Sequence, residues 1–86
     1  MNTLINNSVQ TGKAFTIYPN PVKQQLNITS GESLAGGIIR IFDLSGKLVI
    51  TAMPSSNNID VSALSPGVYT LVFTKNKTRV TKEFVK

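Results

Sequence analysis

The feature that most constrains the fold is the spacing of short apolar runs, which turn residues interrupt at intervals of about ten. Within the runs, apolar and polar residues alternate, as at Leu26 and Ile28 and at Ile39 and Ile41. Alternation turns one face of a strand toward a core, and no segment has a convincing helical period. We therefore predict an all-β chain, an immunoglobulin-like β-sandwich of about seven strands in two sheets.

The same alternation predicts which side chains build the core. The inward set is Phe15, Ile17, Leu26, Ile28, Ile39, Ile41, Leu64, Tyr69, Leu71, Phe73 and Phe84. On the predicted sixth strand, the opposite face carries Val68, Thr70, Val72 and Thr74. Because that face is half apolar, we expect it to be partly covered or adhesive, and we leave weak self-association open.

The stretch FTIYPNPV (15–22) places two prolines around an asparagine directly after an alternating segment. Pro19 and Pro21 lack the amide donor that a central ladder needs, and Asn20 is held extended by the proline after it. The stretch therefore predicts a short strand that ends in a stiff corner. Backbone geometry explains these residue types, so we expect the corner to have no chemistry of its own.

Two hairpin turns follow from residue type. In DLSG (43–46), Asp43 can accept hydrogen bonds from the backbone ahead of it, and Gly46 is free to take a positive φ. The last hairpin turns across KNKT (75–78), which contains no glycine. Any positive φ there has to come from Asn76.

The stretch SPGV (65–68) predicts a type II turn, with proline at the second position and glycine at the third. That turn type requires a positive φ at Gly67. Together with its neighbours, the stretch resembles a tyrosine corner. We therefore predict that Tyr69 is buried and that its hydroxyl donates to the backbone near Leu64 or Ser65.

The composition removes most catalytic and metal-binding chemistry. The 86 residues include no histidine, cysteine or tryptophan, so the usual nucleophile–base pairs, most zinc sites and all disulfides are excluded. The acids are too scattered to suggest a calcium loop; they are Glu32, Asp43, Asp60 and Glu83. We predict no enzymatic activity, no cofactor, no metal and no small-molecule substrate.

Positive charge is concentrated in the last twelve residues. The formal net charge is +5, and five of the nine basic residues are Lys75, Lys77, Arg79, Lys82 and Lys86. Two interpretations stay open: a solvated edge hairpin whose lysines discourage edge-to-edge pairing, or a basic docking strip. Nucleic acid is a poor partner because no aromatic stacking set or recognition helix accompanies the charge.

Period two places Val80 and Phe84 of the last strand on one face with Lys82 and Lys86. We expect Phe84 to anchor the strand in the sandwich. We expect both lysines to lay their apolar stems along the surface and to keep their charges in water.

The motifs follow one another in a characteristic order: YPNP, LNI, IRIFDLSGKLV, IDVSALSPGVYTLVF and TKEFVK. This order resembles that of type A C-terminal sorting domains, the cargo signals of the type IX (Por) secretion system of Bacteroidota. The resemblance covers residues 15–86. The motif residues that it carries over are Pro19, Asn20, Pro21, Asp43, Gly46, Gly67 and Tyr69, and the basic-apolar end with Lys82, Phe84 and Lys86.

The resemblance implies a domain at the end of a larger exported protein. A signal peptide takes such a protein to the periplasm, the outer-membrane translocon recognises the terminal domain, and a surface sortase usually removes it. The mature protein is then released or joined to anionic lipopolysaccharide at the cell surface. In such a sandwich we expect the Pro-Asn-Pro corner to end the first strand and to carry the chain to the opposite sheet.

The family's cleavage lies before the domain, which points here to the stretch from Asn6 to Ala14. Residues 1–14 are polar and irregular. We interpret them as a flexible linker or a segment introduced in cloning, with any signal peptide upstream.

Two other functions fit a small β-sandwich: an adhesion or carbohydrate-binding module, and an inert spacer domain of a surface protein. A carbohydrate-binding face needs exposed tryptophan or tyrosine, and only Tyr18 is available for that role. A spacer can stand anywhere in a gene, whereas a sorting domain has to end the polypeptide.

Overall fold

The computed structural model describes residues 15–54 and 56–86, in which seven strands and no helix are found. The strands are β1 (Phe15–Tyr18), β2 (Gln25–Ser30), β3 (Ile38–Asp43), β4 (Leu48–Ala52), β5 (Asn58–Asp60), β6 (Val68–Lys75) and β7 (Thr78–Val85). Over these ranges, no helix is long and apolar enough to cross a membrane. The predictions for residues 1–14 lie outside the described residues.

The strands form two antiparallel sheets, which confirms the predicted sandwich. One sheet has the order β1-β2-β5, and the other has the order β4-β3-β6-β7. The edge strands are therefore β1 and β5 in the first sheet and β4 and β7 in the second.

The strand registers sort the connections into two ends of the sandwich. Asp43 pairs with Tyr69, and Tyr69 pairs with Phe84, so the ends of β3 and β7 lie beside the start of β6. Gln25 pairs with Asp60 in the other sheet. We call this the motif end, formed by segments 19–24, 44–47, 61–67 and 85–86. The far end contains segment 31–37 and the 76–77 turn.

The Pro-Asn-Pro corner ends β1 as predicted, but the prediction that it carries the chain to the opposite sheet is wrong. Strands β1 and β2 are antiparallel neighbours, with Tyr18 opposite Asn27. The corner returns the chain to its own sheet because a six-residue loop (19–24) is long enough to join adjacent antiparallel strands. The corner itself does contact the other sheet, through β7.

The predicted core is largely confirmed. Nine of the eleven inward residues are buried, and Ile17 and Leu64 are partly buried against that core. The alternation did not predict four further members, which lie in loops or in the short β5: Val22, Leu34, Ile59 and Val61.

The outer face of β6 is partly covered, as expected from its mixed composition. Val72 is only 9% exposed, while Val68 is 38% exposed and lies opposite Val85. Val72 is flanked by Arg40 of β3 and Thr81 of β7 in the register, so neighbouring strands on both sides crowd it. Val68 lies at the end of its strand, where that shielding is weaker.

Candidate recognition site

The motif end brings together segments that are far apart in the sequence. The Pro-Asn-Pro corner, the DLSG turn, the SPGVY stretch and the end of β7 all lie there. Lys82 is the exception, because it lies two residues before Phe84 along the edge strand. The structure thus places nine of the ten predicted motif residues at one end.

The Pro-Asn-Pro corner binds the last residue of β7. The amide of Val85 donates to Asn20 Oδ1 at 2.9 Å, across 65 positions of sequence. The Val22 amide donates to the Val85 carbonyl at 2.8 Å. Both X-Pro peptides of the corner, at Pro19 and Pro21, are cis. The hydrogen bond from the Val85 amide shows that Asn20 acts as an acceptor for a sheet edge, a role that the motif alone did not reveal.

Gly67 extends the β6–β7 ladder by one residue pair. Its amide donates to the Lys86 carbonyl at 2.9 Å, and the Lys86 amide donates to the Gly67 carbonyl at 2.8 Å. The positive φ values of glycines in the described residues belong to Gly36 and Gly46. The predicted type II turn is therefore wrong, because an extended Gly67 is needed to pair with Lys86.

The predicted tyrosine corner is confirmed. Tyr69 is buried, and its hydroxyl donates to the Ser65 carbonyl at 2.5 Å. The Tyr69 ring stacks on the Phe84 ring with centroids 5.5 Å apart, and Phe84 is only 1% exposed. One aromatic pair thus fixes the start of β6 to the end of β7, as expected for the anchoring role of Phe84.

Lys86 does not keep its charge in water, so that prediction is wrong. Its Nζ donates to the carbonyls of Val61, Ser62 and Leu64 at 2.8, 3.0 and 2.5 Å. An ammonium group has three donors, and three carbonyls of the 61–64 segment can accept all of them. This segment turns back on itself, since the Leu64 amide donates to the Val61 carbonyl, and its carbonyls therefore point to one place.

Lys82 behaves as the sequence predicted and differs from Lys86 on the same face of β7. Its side chain is exposed, and no side-chain hydrogen bond or ion pair connects it with residues 15–54 or 56–86. Lys82 lies on the core-facing side of the edge strand, between Val80 and Phe84. A charged side chain in such a position is a known protection against pairing of sheet edges. Of the five basic residues in the strip, Lys75 donates to the Ser33 carbonyl and Lys86 to the 61–64 carbonyls, whereas Lys82 makes no such contact with the described residues.

The DLSG turn has the predicted geometry. Asp43 Oδ1 accepts from the Ser45 amide at 2.9 Å, the Ser45 hydroxyl at 2.7 Å and the Lys47 amide at 3.0 Å. Gly46 has a φ of 90°. These donors, the Ser45 hydroxyl foremost, hold the pKa of Asp43 below its ordinary value of 3.8.

A second aspartate at this end has a similar environment. The Ser62 amide donates to Asp60 Oδ1 at 2.9 Å. Hydrogen bonds from Ser62, with a smaller contribution from the charge of Lys86, lower the pKa of Asp60. Both carboxylates serve turns, and no group of three or more metal-ligating side chains lies together in the described part of the chain.

Sequence reasoning missed the acceptors and donors that the backbone supplies at this end. Val22 is fully covered and joins β7 by its amide, and the carbonyls of the 61–64 segment hold Lys86. An apolar residue after the second proline was the one available signal for Val22. The carbonyl cluster had no signal, because every residue type supplies a carbonyl.

The arrangement suits recognition by shape and by hydrogen bonding. It offers the Pro-Asn-Pro corner, a strand end whose backbone groups are already hydrogen-bonded, and the edge strand β7 with the free Lys82 on it. No described side chains form a nucleophile–base pair or a metal cluster.

Residues 16–86 match the family model described as the secretion system C-terminal sorting domain. Among solved structures, the chain is similar to PorZ, a surface component of the type-IX secretion system of Porphyromonas gingivalis, with a TM-score of 0.66 and 21% identity. That similarity covers 83% of this chain and 11% of PorZ, so the chain spans a small part of that protein.

A second similarity is to dimeric latent PorU of Porphyromonas gingivalis, with a TM-score of 0.47, 16% identity, and coverage of 96% of this chain and 10% of PorU. None of the curated proteins matches the chain. The PorZ similarity supports the fold, and the family match covers nearly all of the described residues. The chain therefore belongs to the C-terminal sorting domain family, and its function is that of a secretion signal for the type IX secretion system.

Proposed function

We propose that the secretion machinery reads this signal as a folded domain, and that the motif residues serve mainly to build the fold that is read. The observation that carries the proposal is the convergence of Asn20, Gly67 and Lys86 on the end of β7. In an unfolded chain these residues are distant, so a linear reader would gain nothing from their positions.

The domain directs its cargo to the cell surface or into the medium. In the proposed route, the cargo first crosses to the periplasm, and the outer-membrane translocon then recognises the domain. A surface sortase removes the domain by cleavage within residues 6–14. In this route, residues 1–14 act as the linker that contains the cleaved bond.

The domain itself has no enzymatic role in this proposal. Support comes from the composition, which lacks histidine and cysteine. The two carboxylates with lowered pKa values, Asp43 and Asp60, each accept hydrogen bonds within their own turns. An adhesion or carbohydrate-binding role is not favoured, since the family is one of sorting signals. In addition, Tyr18, at 49%, is the single exposed aromatic side chain among the described residues, too few to form a sugar-binding face.

The test fuses the whole 86-residue chain to a periplasmic reporter in a host that has a type IX secretion system. We expect the reporter to reach the medium or cell surface, and this export should vanish when the translocon is deleted. The released reporter should lack the sandwich when its mass is measured, because the sortase has removed it.

A Leu71→Asp variant separates reading of the fold from reading of linear motifs. Leu71 is fully buried and is not one of the ten motif residues carried over from the family, so a buried carboxylate there should unfold the domain and leave those ten residues unchanged. We expect export of this variant to be lost. Export at the parent level by a variant that circular dichroism shows to be unfolded would contradict the proposal.

A further inference from the structure

Strand β7 is an edge strand whose outward backbone groups can be identified from its register. In an antiparallel ladder, alternate residues direct their amide and carbonyl toward the neighbour or away from it. Gly67 and Lys86 exchange two backbone hydrogen bonds, so the amide and carbonyl of Lys86 point toward the neighbouring strand. By the same alternation, the backbone groups of Phe84, Lys82 and Val80 point toward β6. The backbone groups that point outward, away from β6, belong to Val85, Glu83, Thr81 and Arg79.

The Pro-Asn-Pro corner already occupies the outward groups of Val85. Its amide donates to Asn20 Oδ1 and its carbonyl accepts from the Val22 amide. No hydrogen bond from residues 15–54 or 56–86 reaches the outward groups of Glu83, Thr81 or Arg79. Three amides and three carbonyls are therefore open along five residues, roughly 14 Å of strand.

The charge around this open edge is mainly positive. Lys77, Arg79 and Lys82 are exposed, and Glu83 is the one acid in residues 75–86. The described side chains offer no ion pair to Arg79 or Lys82. A positive rim attracts an acidic segment and increases its rate of encounter.

We propose, on the basis of the function proposed above, that an extended acidic segment of a translocon protein adds to β7 as a fifth strand over Arg79–Glu83. The main-chain groups of the edge supply the hydrogen bonds, and the lysines and Arg79 select for acidic side chains. The Pro-Asn-Pro corner sets the limit of this docking edge, because Asn20 and Val22 already occupy the next outward position.

Blocking one outward amide tests the strand addition. Thr81→Pro removes an outward donor without breaking the β6–β7 ladder, and proline is tolerated at such edge positions. Thr81→Val keeps the amide and the branched shape and serves as the matched control. With the reporter fusion, we expect Thr81→Pro to reduce export about tenfold or more, and Thr81→Val to leave export at the parent level. Circular dichroism and thermal unfolding confirm that each variant folds.

Equal export of the parent and a folded Thr81→Pro variant would overturn the docking edge and leave the proposed function intact. Failure of the parent fusion itself would instead contradict the proposed function.

Amide hydrogen exchange on the unmodified chain keeps the test independent of how the proline variant folds. Purified outer-membrane translocon is the probe. We expect the amides of Arg79, Thr81 and Glu83 to exchange rapidly in the free domain and to gain protection when the translocon is added. The amide of Val85 should be protected already. Protection elsewhere, with these three amides unchanged, would overturn the proposal.

Salt distinguishes strand addition from adsorption by charge alone. Binding should weaken as ionic strength rises, because the basic rim contributes to it. A membrane surface bound only by charge would show the same salt dependence but would bind Thr81→Pro as well as the parent. If the translocon also bound Thr81→Pro as well as the parent, as anionic lipid vesicles should, the strand addition would be overturned.

Discussion

The two ends of the sandwich are stabilised by different kinds of contact. At the motif end, directional hydrogen bonds join distant segments, as between Asn20 and Val85 and between Lys86 and the 61–64 carbonyls. At the far end, the rings of Phe15 and Phe73 stack with centroids 5.6 Å apart, and Lys75 Nζ adds a long-range hydrogen bond to the Ser33 carbonyl at 2.9 Å.

This difference explains why the recognisable motifs lie at one end. A hydrogen bond to a strand edge requires an atom of the right kind at a fixed place, so residue identity is constrained. Apolar packing accepts side chains of similar volume, so the far end mainly needs hydrophobic character, turn-forming residues and space for the buried rings, as at Gly37. The motif residues are therefore conspicuous in the sequence because several of them make hydrogen bonds of fixed geometry.

The largest stability effect is expected at the far end, for Gly37→Ala. A Cβ at Gly37 would lie 2.4 Å from the Phe73 ring and 3.1 Å from the Thr74 carbonyl oxygen. Because Phe73 is buried and cannot retreat freely, we expect a loss of about 3 kcal/mol, the upper part of the range for overpacking.

Gly67→Ala is the matched control for this substitution at the motif end. A Cβ at Gly67 meets its nearest atom, in Tyr69, at 3.9 Å, and its φ is not in the left-handed region. Urea denaturation of both variants measures the difference. A larger loss for the motif glycine than for Gly37 would contradict the comparison of the two ends.

The next effect is expected for Lys86→Gln, measured against Lys82→Gln on the same face of β7. Lys86 loses charge-assisted hydrogen bonds to three carbonyls, and since the site is only partly buried we expect a loss of about 2 kcal/mol. Lys82→Gln should change the free energy of unfolding by less than about 0.5 kcal/mol. Equal thermal unfolding midpoints for the two variants would show that the carbonyl cluster does not stabilise the domain.

A smaller effect is expected for Asn20→Ala. The Val85 amide loses its acceptor, but water can partly replace it at this exposed position, so we expect a loss of about 1 kcal/mol. Asn20→Asp keeps an oxygen at the same place and should lose less. Exchange of the Val85 amide reports the contact directly: it should accelerate in Asn20→Ala and stay slow in Asn20→Asp.

The smallest effect is a dependence on pH from the two turn aspartates. The folded state lowers the pKa of Asp43 and Asp60 below 3.8, so their contribution to stability is fully present above that value. The contribution is lost as the pH falls through the lowered folded pKa values. Acid titration of the unfolding midpoint should therefore be flatter for Asp43→Asn than for the parent or for Glu83→Gln.

Local physics was sufficient for the strands, the two hairpin turns and most of the core. Period-two alternation predicted that Ile39 and Ile41 of β3 and Phe84 of β7 are buried, and residue type predicted the Asp43 turn. Asn76 has the positive φ, 54°, that the missing glycine demanded. The tyrosine corner was also predictable, because its donor and acceptor lie four residues apart.

Contacts between distant segments were decided only by the tertiary structure. The return of the chain from the Pro-Asn-Pro corner to its own sheet depends on the pairing of β1 with β2. What Asn20 accepts, why Gly67 is extended and where the charge of Lys86 goes depend on the position of residues 85 and 86 beside the other segments. The sequence determined periodicity and turn chemistry because these act over a few residues. Long-range hydrogen bonds form only after the sheets have brought backbone groups together, and backbone groups are the same in every residue except proline.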